Sequence, residues 1–212
     1  MKSTVEYLIQ SLELPDRLQI INDNKKIIPE IKIFKSINGY NIEETIAEFF
    51  KSGLKYKYLD FNTYGTLANY LTKINAFKYQ IENNIEFMCL IEDDVILNND
   101  FKSFIESNLH YLEKYNMLRL DNWGEGYVTS IIGSKNILKH IYNDGIIYNI
   151  DNQLREKCGP EKRLNTYWKL AVNTNEGDCL KTKTIPESEI LKFQQPRPKR
   201  THLRGLLRES FL

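Results

Sequence analysis

The 212 residues are 42% hydrophobic and 27% charged, with a formal net charge of +1. That balance supports a substantial core and argues against general nucleic-acid binding, which calls for a basic face. No apolar stretch approaches the ~18 residues of a membrane span, the opening Met1–Glu6 has no apolar signal segment, and Cys89, Cys158 and Cys179 show neither zinc spacing nor a disulfide framework.

In chain order, Thr4 to Leu12 reads as a first strand. Pro15-Asp16-Arg17 then opens a helix, because proline is tolerated in the first turn and an early acid suits the helix dipole; Pro29 closes that segment. Ile31 to Ile37 alternates as a second strand, and Asn38-Gly39-Tyr40-Asn41 is a turn signal. Strand, helix and strand over this distance form a βαβ unit, so a parallel pair is expected. Ile42 to Leu54 reads as a helix ending at Gly53, Tyr56 to Phe61 is ambiguous, and Tyr64 to Asn83 carries Leu67, Tyr70, Leu71, Ile74, Phe77 and Ile81 at helical spacing. After Phe87 to Ile91, a helix is expected over Phe101–Lys114 with Asp100 or Asn99 as its cap. A short strand Asn116–Leu120, a loop Asp121–Gly126 and a strand Tyr127–Ile132 follow, and Ser134 is expected to cap a helix Asn136–Tyr142. Ile150 opens another helical segment broken at Cys158-Gly159-Pro160, and strands are expected over Leu164–Val172 and Thr182–Pro186. One α/β domain is expected over residues 1–195, with 196–212 a basic tail or linker carrying Arg197, Lys199, Arg200, Arg204 and Arg208.

The stretch that stands out is Phe87-Met88-Cys89-Leu90-Ile91-Glu92-Asp93-Asp94. The apolar run has the length of a strand buried on both faces, which places three acids at its carboxyl end, where open α/β sheets bind ligands. Three adjacent carboxylates repel one another and are costly to desolvate. A divalent cation removes that cost, and Mg²⁺ is characteristically held by one or two carboxylates plus substrate phosphates. The bland alternative is a solvated acidic turn. Arg17, near the end of the first strand, suits bidentate phosphate recognition and is otherwise a solvated helix residue. Lys73 and Lys78 lie on the helix before the acids, where a lysine would hold carboxylates ionised; surface positions are the plain alternative.

The order of these stretches resembles glycosyltransferase family 25. Ile9-Gln10-Ser11-Leu12-Glu13-Leu14-Pro15-Asp16-Arg17 is similar to its first strand and "N-L-x-R-x-x-D-R" continuation, and Phe34 to Asn41 to its "F-x-A-x-D-G". The helix from Gly65 and Leu90-Ile91-Glu92-Asp93-Asp94-Val95 resemble its "G-x-x-G-C-x-x-S-H" helix and "L-E-D-D" strand. Gly126 to Lys135, Ile150-Asp151 and Pro186 to Ile190 are similar to its later segments. The chain departs from the pattern at Thr72-Lys73, where the family has Ser-His, and at Ala68, where it has glycine.

The resemblance implies a GT-A (Rossmann-like) fold with a mixed, mainly parallel sheet flanked by helices. It also implies a transferase, inverting in stereochemistry, that moves a sugar from a UDP-sugar donor to a glycan or glycoprotein acceptor with Mn²⁺ or Mg²⁺. On that reading Asp94 and Glu92 hold the metal, and Glu92 or Asp93 reaches the donor sugar or ribose. Gln10, Ser11, Arg17, Asn38, Gly39 and Lys73 contact the nucleotide. Asp151 is the first choice of catalytic base by its match to the family's "V-D". Asp121 and Glu125 are rivals, with Trp123 able to stack on a sugar face. His110, His140 and His202 are the only histidines, and none is favoured as a metal ligand. A cytoplasmic location, in a bacterium or a virus-infected host cell, is the matching expectation. A metal-dependent nucleotidyltransferase is disfavoured by the missing Gly-rich N-terminal loop. A non-catalytic nucleotide- or glycan-binding module of a larger protein remains the other alternative.

Overall fold

The computed structural model describes residues 4–56, 63–120, 124–164 and 169–170. Its centre is a six-stranded mixed sheet in the order β2-β1-β3-β6-β5-β7. Strand β1 (Val5–Ser11) lies between β2 (Lys32–Lys35) and β3 (Phe87–Glu92) and is parallel to both, which bears out the βαβ reading. Strand β6 (Gly126–Ser130) is antiparallel to β3 and to β5 (Met117–Arg119), and β7 (Glu161–Arg163) extends the edge parallel to β5. A separate two-stranded ladder pairs β4 (Val95–Ile96) with β8 (Lys169–Leu170).

Side chains alternate between two cores, as the period-two geometry of strands requires. Leu8, Met88, Leu90, Met117 and Tyr127 face one helical layer: α2 (Ile42–Ser52), α3 (Tyr64–Glu82), α5 (Ile131–Asp144) and α6 (Ile150–Lys157). Tyr7, Ile9, Cys89, Ile91, Leu118 and Val128 face the other: α1 (Pro15–Ile27), α4 (Phe101–Asn108) and a 3₁₀ segment Leu109–Glu113. The expected architecture, a mixed and mainly parallel sheet with helices on both faces, is therefore what the chain forms. Helix α3 has Thr63 as cap, its hydroxyl accepting from the Thr66 amide, and thirteen of its nineteen residues are buried, so it is the internal helix of its layer.

Several boundaries differ from the sequence reading. The strand expected to reach Ile132 ends at Ser130, whose hydroxyl accepts from the Gly133 amide and starts α5. Ser134 is not the cap but a buried helical residue bonded to Gln80 and Thr129. Gly133 permits this early start: a Cβ there would stand 1.9 Å from the Asn116 carbonyl. The helix expected to run to Lys114 tightens into 3₁₀ geometry at Leu109, and Asp100 occupies its cap position without a side-chain cap bond. Of the strand expected over Leu164–Val172, Lys169–Leu170 forms β8 in the small ladder, and β7 (Glu161–Arg163) lies before it; residues 165–168 and 171–172 are outside the described residues. The Tyr56–Phe61 and Thr182–Pro186 stretches beyond Tyr56, the basic tail, His202, Cys179 and the domain boundary at 195 lie outside the described residues. Among the described residues no helix is long and apolar enough to cross a membrane.

Candidate active site

Strands β1 and β3 are in register at Gln10↔Glu92, so they end side by side. Beyond their carboxyl ends lies a cleft of about 140 Å³ lined by Gln10, Ser11, Arg17, Gly39, Asn69, Thr72 and Glu92 to Asp94, among others. This is where ligands sit in sheets of this kind.

The acid triplet divides into two groups. Asp93 and Asp94 form the turn between β3 and β4 and face α1. The Ser11 hydroxyl donates to Asp93 Oδ2 at 2.5 Å, and Arg17 lies 4.0 Å from Asp93 and 3.7 Å from Asp94. Arg17 is 4% exposed, so it is not the solvated first-turn residue of the plain reading. Glu13, just past the β1 end, has φ 55, and its amide donates to the Ser11 hydroxyl. The strained conformation thus sits beside the site, with Ser11 tied on both sides.

Glu92 turns the other way, towards α3. Its Oε1 is 3.0 Å from Lys73 Nζ, with the Gln10 and Asn69 amides at 3.4 and 3.5 Å. Lys73 is 1% exposed and is the junction of the site. It donates to Asp151 Oδ1 at 2.7 Å and to the Gly124 carbonyl at 3.0 Å, so three donors of the ammonium meet three acceptors. Burial pushes this ammonium towards neutrality, but the Asp151 and Glu92 carboxylates outweigh it and hold the pKa above the ordinary lysine value. Burial raises Glu92 to about 7; Lys73 pulls it down, while Asp94 and Asp151 push it up.

Asp151 stands in the first turn of α6, behind the Asn149 cap, where the helix dipole favours an anion. Its Oδ1 also accepts from the Tyr127 hydroxyl at 2.6 Å. One carboxylate oxygen is thereby held by two donors. Gly124 makes this possible: it has φ 101, and a Cβ would lie 2.4 Å from Asp151 Oδ1. Gly124→Ala is expected to cost about 2–3 kcal/mol through overpacking and backbone strain, and to lower activity by displacing Asp151. Chemical denaturation and an activity assay on the same preparation check this.

The other sequence candidates are placed as follows. Thr72, at the family's serine position, donates to the Ala68 carbonyl and accepts from the Ile37 amide, tying the β2–α2 loop to α3. The Asn38 side chain accepts from the Tyr40 amide within its own turn, while Gly39 and Tyr40 line the cleft. Gly39 is needed because a Cβ would lie 2.5 Å from Gly65 Cα. Lys78 stacks over Tyr142 and His110 over Tyr111, away from the acids, and His140 is in α5. The Glu125 carbonyl accepts from the Glu92 amide, extending the β3–β6 pairing to the site. Asp121 and Trp123 lie outside the described residues. Sequence reasoning missed Tyr127 and Asn69 altogether. An inward-facing tyrosine on a core strand was the only available signal for the first.

A search of curated proteins returned no match. The solved structures that match include the following two. A protein assigned as a nucleotide-diphospho-sugar transferase from Desulfovibrio desulfuricans G20 has TM-score 0.45 and 11% identity over 99% of this chain and 96% of that one. A glycosyltransferase involved in glycosylating the major capsid of PBCV-1 has TM-score 0.36 and 11% identity over 76% of this chain and 81% of that one. The family model described as glycosyltransferase family 25 (LPS biosynthesis protein) matches residues 4–177. That match spans most of the chain and includes every element around the cleft, and the chain belongs to glycosyltransferase family 25.

Proposed function

We propose that this glycosyltransferase is metal-dependent and transfers a hexose, with inversion, from a UDP-sugar to a hydroxyl of a glycan or glycoprotein. The observation that carries this reading is the division of the site at the sheet's carboxyl end. Arg17, Ser11, Asp93 and Asp94 form one side, and Glu92, Lys73 and Asp151 form the other.

The first side suits a diphosphate and a hard cation. Asp93 and Asp94 both line the cleft, and Mg²⁺ or Mn²⁺ is accommodated by one or two carboxylates plus phosphate oxygens. Among the described residues no group of three or more acids, histidines or cysteines is arranged to hold a metal alone, and on this reading donor phosphate oxygens and water complete the shell. Since Glu92 is engaged by Lys73, we assign the metal to Asp94 and Asp93. A cation bound there would offset negative charge on the departing nucleoside diphosphate. Arg17 adds a fixed guanidinium on the same side, and Gln10, Ser11 and the Gly39 backbone border the space for the nucleoside.

The second side suits the acceptor. With Oδ1 held by Lys73 and Tyr127, the other oxygen of Asp151 is oriented to accept the acceptor hydroxyl's proton. The bond from the anomeric carbon to the phosphate oxygen breaks as the bond to the acceptor oxygen forms. Lys73 keeps two carboxylates at close quarters without mutual repulsion.

Calorimetric titration with UDP in Mn²⁺ tests the reading. The native protein is expected to bind and Asp94→Ala to lose that binding. Absence of metal-dependent binding in the native protein would overturn the proposal, and binding with donor hydrolysis no faster than the background would favour a non-catalytic module.

A further inference from the structure

The acid turn is held from one side by strand β3. What holds it from the other side is a neutral residue with no part in the chemistry. Helix α1 buries Arg17, Ile21 and Asn24, which recur at helical spacing and so share one face. Asn24 is 0% exposed. Its Nδ2 donates to the Val95 carbonyl at 2.7 Å, and its Oδ1 accepts from the Leu97 amide at 3.0 Å. These two backbone groups flank Ile96 and are the pair that one residue of a parallel neighbouring strand would take. The Asn24 amide thus stands in for a strand at the point where the chain leaves the acid turn. Two helical turns earlier, Arg17 reaches the carboxylates of that same turn.

We infer that Asn24 is a positioning residue for the donor side of the site, fixing the Asp93-Asp94 turn against Arg17 and Ser11 through its two bonds across Ile96. The inference rests on the transferase reading for its functional consequence, but the clamp itself does not. A buried apolar side chain would fill the same space between α1 and β4. The paired amide instead fixes the distance and direction of β4 relative to α1, because both backbone groups must be met at once. The acid carboxylates then keep their aim at the cleft before any ligand arrives, which lowers the ordering cost of binding.

The test compares Asn24→Ala with Leu118→Ala, a truncation in the same core layer on β5, two strands from β3 in the sheet order. Two readouts are used at a temperature where both variants are folded by circular dichroism. Without ligand, hydrogen exchange at Asp94 to Leu97 is expected to accelerate at least tenfold in Asn24→Ala and to follow only global stability in Leu118→Ala. With Mn²⁺, UDP affinity is expected to fall tenfold or more in Asn24→Ala and to stay within twofold in Leu118→Ala. If Asn24→Ala does not fold, Asn24→Leu, which fills the volume but makes neither bond, is expected to show the same direction in both readouts. Unchanged exchange in the turn, or native affinity despite faster exchange, would overturn the inference. A native protein that binds no UDP with Mn²⁺ would sink the transferase reading instead, and the ligand-free exchange would still distinguish a fixed turn from a free one.

Discussion

Replacing Lys73 with methionine is expected to remove about 3–5 kcal/mol of stability, because the Glu92 and Asp151 carboxylates would be left facing each other without their cation. For a chain of this length that corresponds to a fall of roughly 6–20 °C in Tm. The deficit has a defined pH dependence. Burial and the acids around it raise Glu92 above its unfolded value of 4.5, to about 7 even with Lys73 present. A group whose folded pKa is raised contributes stability that is present below its unfolded value and is lost as pH rises through the folded value. Removing the ammonium raises the folded value further. The gap between native and variant is therefore expected to be narrow near pH 4.5 and to widen through neutral pH. Thermal unfolding of both proteins across pH 4.5–8 measures this directly; a gap that stays constant would mean that Lys73 does not hold these acids in the folded state.

Asp151→Asn is expected to lower sugar transfer by about 10²–10⁴-fold, the usual contribution of a positioned base. The carbonyl of asparagine still accepts from Tyr127, so the change removes proton acceptance more than it removes shape. UDP binding is expected to remain within a few-fold of native, because Asp93, Asp94 and Arg17 lie on the other side of the site. Transfer within tenfold of native would exclude Asp151 as the base and direct attention to Asp121 and Glu125. Lys73→Met and Asp151→Asn touch one ion pair, so their effects on stability should be less than additive, and a double-mutant cycle measures the coupling.

The framework of this fold was legible because its signals are local. The apolar run Phe87–Ile91 announced a central strand, and its length placed the acids at the sheet's end before any fold was known. Pro15 and Gly53 marked a helix start and a helix end at the places where they occur. What escaped were contacts that no periodicity encodes. Lys73 is legible as a lysine near the acids, but its full burial and its bond to Asp151, 78 residues away, come only from the packing of α3 against both β3 and α6. Asn24 resembles a solvated residue in a polar helix, until β4 presents its backbone to it. Ser130 lost out to Ser134 as the expected cap because apolar Ile131 and Ile132 prolong the strand pattern. Whether they continue a strand or open a helix is decided by the Ser130 cap and the approach of Asn116 to Gly133.

The split of the acid triplet has a consequence for the order in which the site is completed during synthesis. Ser11, Arg17, Asn24, Lys73 and the acids all lie within the stretch ending at Leu97, and β1, β2 and β3 are the parallel strands that unite them. The chain emerges from its amino terminus, and early segments are the first free to pack. The residues proposed for the donor side are thus in the chain before α6 has been made. Lys73 and Glu92 both lie in that stretch, whereas the two other acceptors of Lys73, Gly124 and Asp151, come later in the chain. A nascent chain that has cleared the ribosome only as far as Leu97 would carry the residues proposed for the donor side, while Asp151, proposed for the acceptor side, has yet to join them.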